Sequence, residues 1–263
     1  MLTGRYRNCR GAFQALYTEI VATLALLLFS IYDIRTRELP EKQVYAALAI
    51  VLVLRVAEYW LRGLDVLLPL WIYVVLDGVT LAALAAMASL GFFGWGDVAA
   101  ILLITIASPV AEGNCILMPP TLMVLVYYVL ANVAIMVTNL VVNVTRNMHE
   151  VRRLPHRYRL VYTLMARPVS VQKLLDKPGW WYPLNLCGNY TIRFNIYLDP
   201  DDIVKEVKKA IQKRCISQSD IVWVTYGIPG VPLFTASYML TLLLGDKPLL
   251  SMLGIRLNSI LAG

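Results

Sequence analysis

The chain has 263 residues, 59% of them apolar and 16% charged, with a formal net charge of +7. A soluble domain has about 45–50% apolar residues, so a single water-facing fold is excluded for most of this length. Four cysteines without a CxxC pair, and two histidines (His149 and His156) in a basic stretch, argue against a structural zinc site.

The predicted elements, in chain order, begin with an N-terminus that imitates a signal peptide. Arg5, Arg7 and Arg10 precede an apolar run, but no small-residue cleavage site follows. The run is read as a retained first membrane helix over Ala15–Tyr32. A span needs about 20 apolar residues, and further spans are expected at Val44–Leu61, Val66–Leu90, Val98–Ala111, Met118–Val142 and Val222–Leu244. Arg55 and Glu58 lie near the far end of the second span, and Asp77 falls inside the third. An intramembrane carboxylate is a functional candidate by default; for Asp77 a protonated or hydrogen-bonded structural role is favoured. Asn132, Asn139 and Asn143, near helical spacing on the fifth span, are expected to bond neighbouring helices.

Between the fifth and sixth spans lies a polar segment, 144–220, with fourteen Lys and Arg. Thr191–Leu198 alternates as a half-buried strand does. Asp199-Pro200-Asp201-Asp202 then reads as a helix start, with a cap, a proline at the first position and acids in the first turn. Ile203, Val207 and Ile211 supply an apolar stripe. The expected fold is therefore mainly α. It is a polytopic membrane protein of six helices, with a small cytoplasmic α+β domain between the fifth and sixth. The domain limits are 1–143, 144–220 and 221–263.

Six spans put the loop at 33–43, the loop at 91–97 and the 144–220 domain on one side, with seventeen of the Lys and Arg against seven on the other. By the positive-inside rule that side is the cytoplasm. The basic domain lacks the aromatic–basic motifs of nucleic-acid readers, so contact with anionic lipid or a substrate tail is expected and no nucleic acid. The sequons at Asn143 and Asn189 would then be irrelevant.

Two aspartates carry the chemistry. Asp33 ends the first span in Tyr32-Asp33-Ile34-Arg35-Thr36-Arg37-Glu38-Leu39-Pro40. Asp97 opens the fourth in Gly94-Trp95-Gly96-Asp97. One helical hairpin separates their loops, so they share a side of the bilayer whichever side it is. Two carboxylates that meet can share one proton and activate water against a peptide bond. Gly91, Gly94 and Gly96 permit positive φ and close backbone approach, with Gly94 and Gly96 placed to admit an extended substrate. Arg35, Arg37 and Lys42 are expected among lipid headgroups.

DIRTRELP and GWGD resemble the two motifs of the prepilin peptidase family, aspartic proteases of the GxGD type. Trp223-Val224-Thr225-Tyr226-Gly227-Ile228-Pro229, with Pro232, resembles the segment opening the last helix in the archaeal preflagellin peptidase branch. The resemblance covers most of the chain and implies that Asp33 and Asp97 are the catalytic pair. It also implies cleavage of the short basic leader of prepilin and preflagellin precursors at the cytoplasmic face of the plasma membrane, with no cofactor. The paired-cysteine loop of bacterial members is absent, which argues against product methylation. Tyr32-Asp33 keeps a signal-peptide-peptidase-like protease as an alternative, and Asp77 keeps a transporter as one from another class.

Overall fold

The computed structural model describes residues 12–62, 71–91, 93–109, 118–176, 179–192, 200–227 and 229–252. The chain divides into two compact units, residues 1–129 with 229–263, and residues 130–228.

The first unit is helical. It holds α1 (Ala12–Thr36), α2 (Glu41–Arg62), α3 (Trp71–Ser89), α4 (Trp95–Ala107) and the first part of α5 (Pro120–Arg146). Four of these, α1, α2, α3 and α5, are long and apolar enough to cross a membrane, whereas α4 is a shorter apolar helix. The long helices leave apolar side chains such as Leu28, Val53, Val75 and Val133 exposed. Lipid favours such a surface, because each helix satisfies its own backbone and hydrocarbon replaces water. Ala100, Ile101, Leu103, Ile104 and Ala107 make α4 the most enclosed element, packed with Leu26 and Phe29 of α1 and Val51 of α2. The charges on the second span are paired: Arg55 Nη1 lies 2.9 Å from Glu58 Oε2, and Thr18 Oγ1 donates to Glu58 Oε1 at 2.6 Å. Arg55 is buried and Glu58 largely so, where an unpaired charge would be costly. Asp77 is buried on α3.

The second unit is α+β. After α5 come α6 (Met148–Arg153), α7 (His156–Met165), β1 (Ala166–Ser170), α8 (Val171–Asp176), β2 (Trp181–Pro183), β3 (Asn185–Leu186), β4 (Asn189–Tyr190), α9 (Pro200–Gln212) and β5 (Ile221–Tyr226). β5 is the middle strand of an antiparallel sheet ordered β1-β5-β2, with Pro168 opposite Trp223 and Tyr182 opposite Thr225. β3 and β4 form a hairpin turned by Cys187 and Gly188, both at positive φ as a primed turn requires. Cys187 is disulfide-bonded to Cys215 beyond α9. The chain then returns to the first unit as α10 (Gly230–Leu244) and α11 (Lys247–Met252).

One expected element is corrected. The run from Val222 was read as the start of the last span, but it forms β5, and the helix begins only at Gly230. Val222 and Val224 face a core with Val171, Ile203 and Val207, while Trp223 faces another with Tyr162 and Leu184. A strand buried on both faces is an apolar run without alternation, which periodicity cannot separate from a helix. The strand expected at 191–198 falls mostly outside the described residues. The helix start at Pro200 is found, with Ile203 and Val207 buried and Ile211 packed beside them. Asn143 Nδ2 donates to the carbonyls of Thr163 and Ala166, and Asn139 Nδ2 to that of Leu164. These asparagines of α5 satisfy carbonyls that the end of α7 leaves without helical partners.

Candidate active site

Asp33 stands one turn before the end of α1. The helix stops at Thr36 because the next residue, Arg37, turns left-handed at φ 61°. Gly takes this position by default, so an arginine there is notable. Pro40 then starts α2, its carbonyl accepting the N–H groups of Gln43 and Val44.

Asp97 lies in the first turn of α4. Its Oδ2 accepts the Gly94 N–H at 3.2 Å, which closes the helix start. Of the three glycines before it, Gly91 uses positive φ, at 79°, to end the α3 turn. Gly94 has φ −77° and Gly96 lies within the helix, so their value is space rather than dihedral freedom. A Cβ at Gly94 would stand 3.3 Å from Asp97 Oδ2; one at Gly96 would stand 3.1 Å from Leu39 Cδ1. The two motifs therefore touch: Leu39 of the first packs onto Gly96 of the second.

A third element joins them. Val231, in the first turn of α10, donates its N–H to Asp33 Oδ2 at 3.1 Å. Its neighbour Gly230 lies against the other carboxylate, where an added Cβ would be 2.7 Å from Asp97 Cγ and 2.9 Å from Oδ2. One helix start thus touches both aspartates, and the Asp33 carboxylate is close enough for its charge to act on Asp97. A turn further along the same faces, Ser30 Oγ and Thr235 Oγ1 are 2.8 Å apart, which fixes the register of α1 against α10. Beneath, Tyr128 and Phe234 stack with centroids 4.1 Å apart, and Phe93 closes the group at 6.3 Å from Phe234.

Sequence reasoning placed Asp33 and Asp97 on one side of the membrane but missed Gly230 and Val231 as their neighbours. The Pro229-Gly230-Val231-Pro232 run was the available signal. Arg37, expected among headgroups, instead has its Nε and Nη2 buried. Asp77 is elsewhere on α3, alongside Thr121 of α5. Among the described residues no cluster of three or more His, Cys, Asp or Glu could hold a metal.

Residues 158–247 match the family model described as archaeal Peptidase A24 C-terminus Type II. No curated protein matches the chain. The matched stretch runs through α10 and so contains Gly230 and Val231, while DIRTRELP and GWGD lie outside it. Outside the match, four helices are long and apolar enough to span a membrane. The match shows that this stretch of the chain is similar to the C-terminal part of archaeal A24 peptidases.

Proposed function

We propose that the chain is a membrane aspartic endopeptidase that removes the short basic leader of prepilin-like or preflagellin-like precursors at the cytoplasmic face of the plasma membrane. The observation that carries this reading is the contact of one helix start with both carboxylates, through the Val231 N–H on Asp33 and the Gly230 backbone beside Asp97. Asp33 and Asp97 are the catalytic pair. The ionised member takes a proton from water as its oxygen attacks the scissile carbonyl. The protonated member donates a hydrogen bond to that carbonyl and then supplies the proton the departing amine needs. The precursor's apolar helix lies in the bilayer and its basic leader extends across the pair. Gly94 and Gly96 let Asp97 and Leu39 pack closely at the pair. The seventeen basic residues assigned to the same face suit anionic lipid there.

The test is cleavage of a leader-bearing precursor by the full chain in detergent, with no ion gradient. Asp33→Asn and Asp97→Asn should each lose at least about a thousandfold in kcat/KM, because removing one member of a unit abolishes most of its catalysis. Near-normal cleavage by either variant sinks the mechanism. A folded wild type that does not cleave the precursor under these conditions would favour a transporter instead.

A further inference from the structure

We propose that the Cys187–Cys215 bridge is a thiol-exchange site: an accessible disulfide that a dithiol reductant opens in the folded protein, freeing the turn of the β3–β4 hairpin from the end of α9. Every residue involved lies in the second unit, and none belongs to the aspartic pair. The bond joins positions 28 apart in sequence, and both cysteines are exposed. Exposed disulfides are the ones open to exchange, because a thiolate must reach a sulfur to attack it. A cavity of about 430 Å³ lies beside the bond, with Asn185, Cys187, Gly188, Ile216 and Asp220 in its wall.

The backbone shows what the bond restrains. Among the described residues, three other than glycine have positive φ, and two of them are at this bridge. One is Cys187 itself, at 51°; the other is Arg214, at 54°, directly before Cys215. Left-handed backbone strains a residue with a Cβ and persists where the surroundings hold it. Cys187 and Gly188 are the two turn residues between β3 and β4, a place where Asn or Gly is usual before the second Gly. Arg214 ends α9. Its N–H donates to the Ile211 carbonyl at 2.9 Å, and the Cys215 N–H donates to that of Ala210 at 3.3 Å. This is a Schellman turn, whose left-handed residue is usually Gly. Two turns that glycine would make more easily are therefore joined by one covalent bond. The base of the hairpin has a separate anchor, since Asn185 Oδ1 accepts the Trp223 N–H of β5. Opening the bridge thus loosens the hairpin turn and the end of α9 and leaves β5 in place.

The exchange balances with the dithiol alone. One of its thiolates attacks Cys187 Sγ, the bond between the two cysteine sulfurs breaks, and Cys215 leaves as a thiolate. The second thiolate of the reductant attacks the first, displaces Cys187 and closes the reductant into its own disulfide. The dithiol has then given two electrons and two protons, and the protein carries two thiols. The Cys215 thiol has an acceptor in reach, the Ala210 carbonyl oxygen, 3.3 Å from Sγ.

The experiment treats the folded full chain in detergent with dithiothreitol, caps free thiols with a maleimide, and locates the caps by mass spectrometry. Neither Cys187 nor Cys215 should be capped before reduction, and both should be capped after it, with no denaturant present. Amide exchange in the reduced protein should quicken by at least about tenfold at residues 187–188 and 213–216, while residues 221–226 stay unchanged. Cys187→Gly removes the bond but makes the hairpin turn without strain, so it should quicken 213–216 and leave 188 slow. A bridge that is reduced only after unfolding is an inert structural disulfide, and one that is reduced with no change in exchange restrains neither turn; either result overturns the proposal. Capping of both cysteines before any reductant is added overturns it as well.

Discussion

Gly230→Ala puts the first-turn contact of α10 to the test most directly. The added methyl would stand 2.7 Å from Asp97 Cγ and 2.9 Å from Oδ2, with Oδ1 nearer still. An ordinary carbon contact needs about 3.5–4 Å, so the carboxylate or the helix start must retreat by roughly 1 Å. Neither retreat is free. Moving Asp97 strains its bond to the Gly94 N–H, and moving α10 lengthens the Val231 N–H bond to Asp33. Displacement by roughly 1 Å costs on the order of a hundredfold in rate, and kcat/KM for precursor cleavage should fall by about that factor. Global stability should change little. Alanine gains up to about 1 kcal/mol over glycine in a helix, which offsets part of the crowding, so thermal unfolding in detergent should shift by no more than a few degrees. Gly78→Ala is the control, since a Cβ there meets nothing within 4 Å; it should cleave like the wild type. A Gly230→Ala variant within threefold of wild-type kcat/KM would refute the claim that this contact sets the pair's geometry.

Other outcomes follow from particular contacts. Asn143→Ala strands the buried carbonyls of Thr163 and Ala166, which its amide reaches at 2.9 and 2.7 Å. At about 1–2 kcal/mol per lost bond, it should destabilise the second unit by about 2–4 kcal/mol, read as faster amide exchange around residues 163–166; unchanged exchange would contradict this. Tyr162 is buried with its hydroxyl between the carbonyls of Leu184 and Thr191 at 2.7 and 2.9 Å, and burial pushes the hydroxyl up to about 12. The unfolded tyrosine ionises near 10, so this contribution is full below pH 10 and is lost as pH rises from 10 to 12, about 2–3 kcal/mol in all. Tryptophan fluorescence should report it, since Trp223 lies 5.8 Å from the Tyr162 ring, and Tyr162→Phe should flatten that alkaline dependence. Asp77→Asn should keep precursor cleavage within about threefold; complete loss from a folded variant would bring Asp77 into the reaction.

The long helices were readable because hydrocarbon demands long apolar runs, and α1, α2, α3 and α5 fall on the expected stretches within the described residues. α9 was readable from its proline, its first-turn acids and its stripe. β5 was not. Ile221–Tyr226 has both faces in cores, so its sequence is a block rather than an alternation, and adjacency to an apolar helix disguised it further. Gly227 and Pro229 were the available breakers. Arg37 was misread for a different reason. A basic residue beside a span fits headgroups by composition, and only the folded chain shows its Nε and Nη2 buried. The Asp33–Val231 bond joins residues 198 apart in sequence, a separation at which no local pattern reports contact.

The site also joins two unlike stretches of sequence. DIRTRELP and GWGD supply carboxylates at the end of α1 and the start of α4. Neither stretch by itself sets how those carboxylates stand: Asp33 takes its donor from α10, and Asp97 faces the backbone of α10. That first turn falls inside the 158–247 match, while both aspartates fall outside it. It follows β5 in the chain with only residues 227–229 between. A substitution at residue 230 or 231 therefore acts on carboxylates more than 130 positions away in sequence. The matched region therefore reaches both carboxylates, through Gly230, where a Cβ has no room, and through the Val231 N–H.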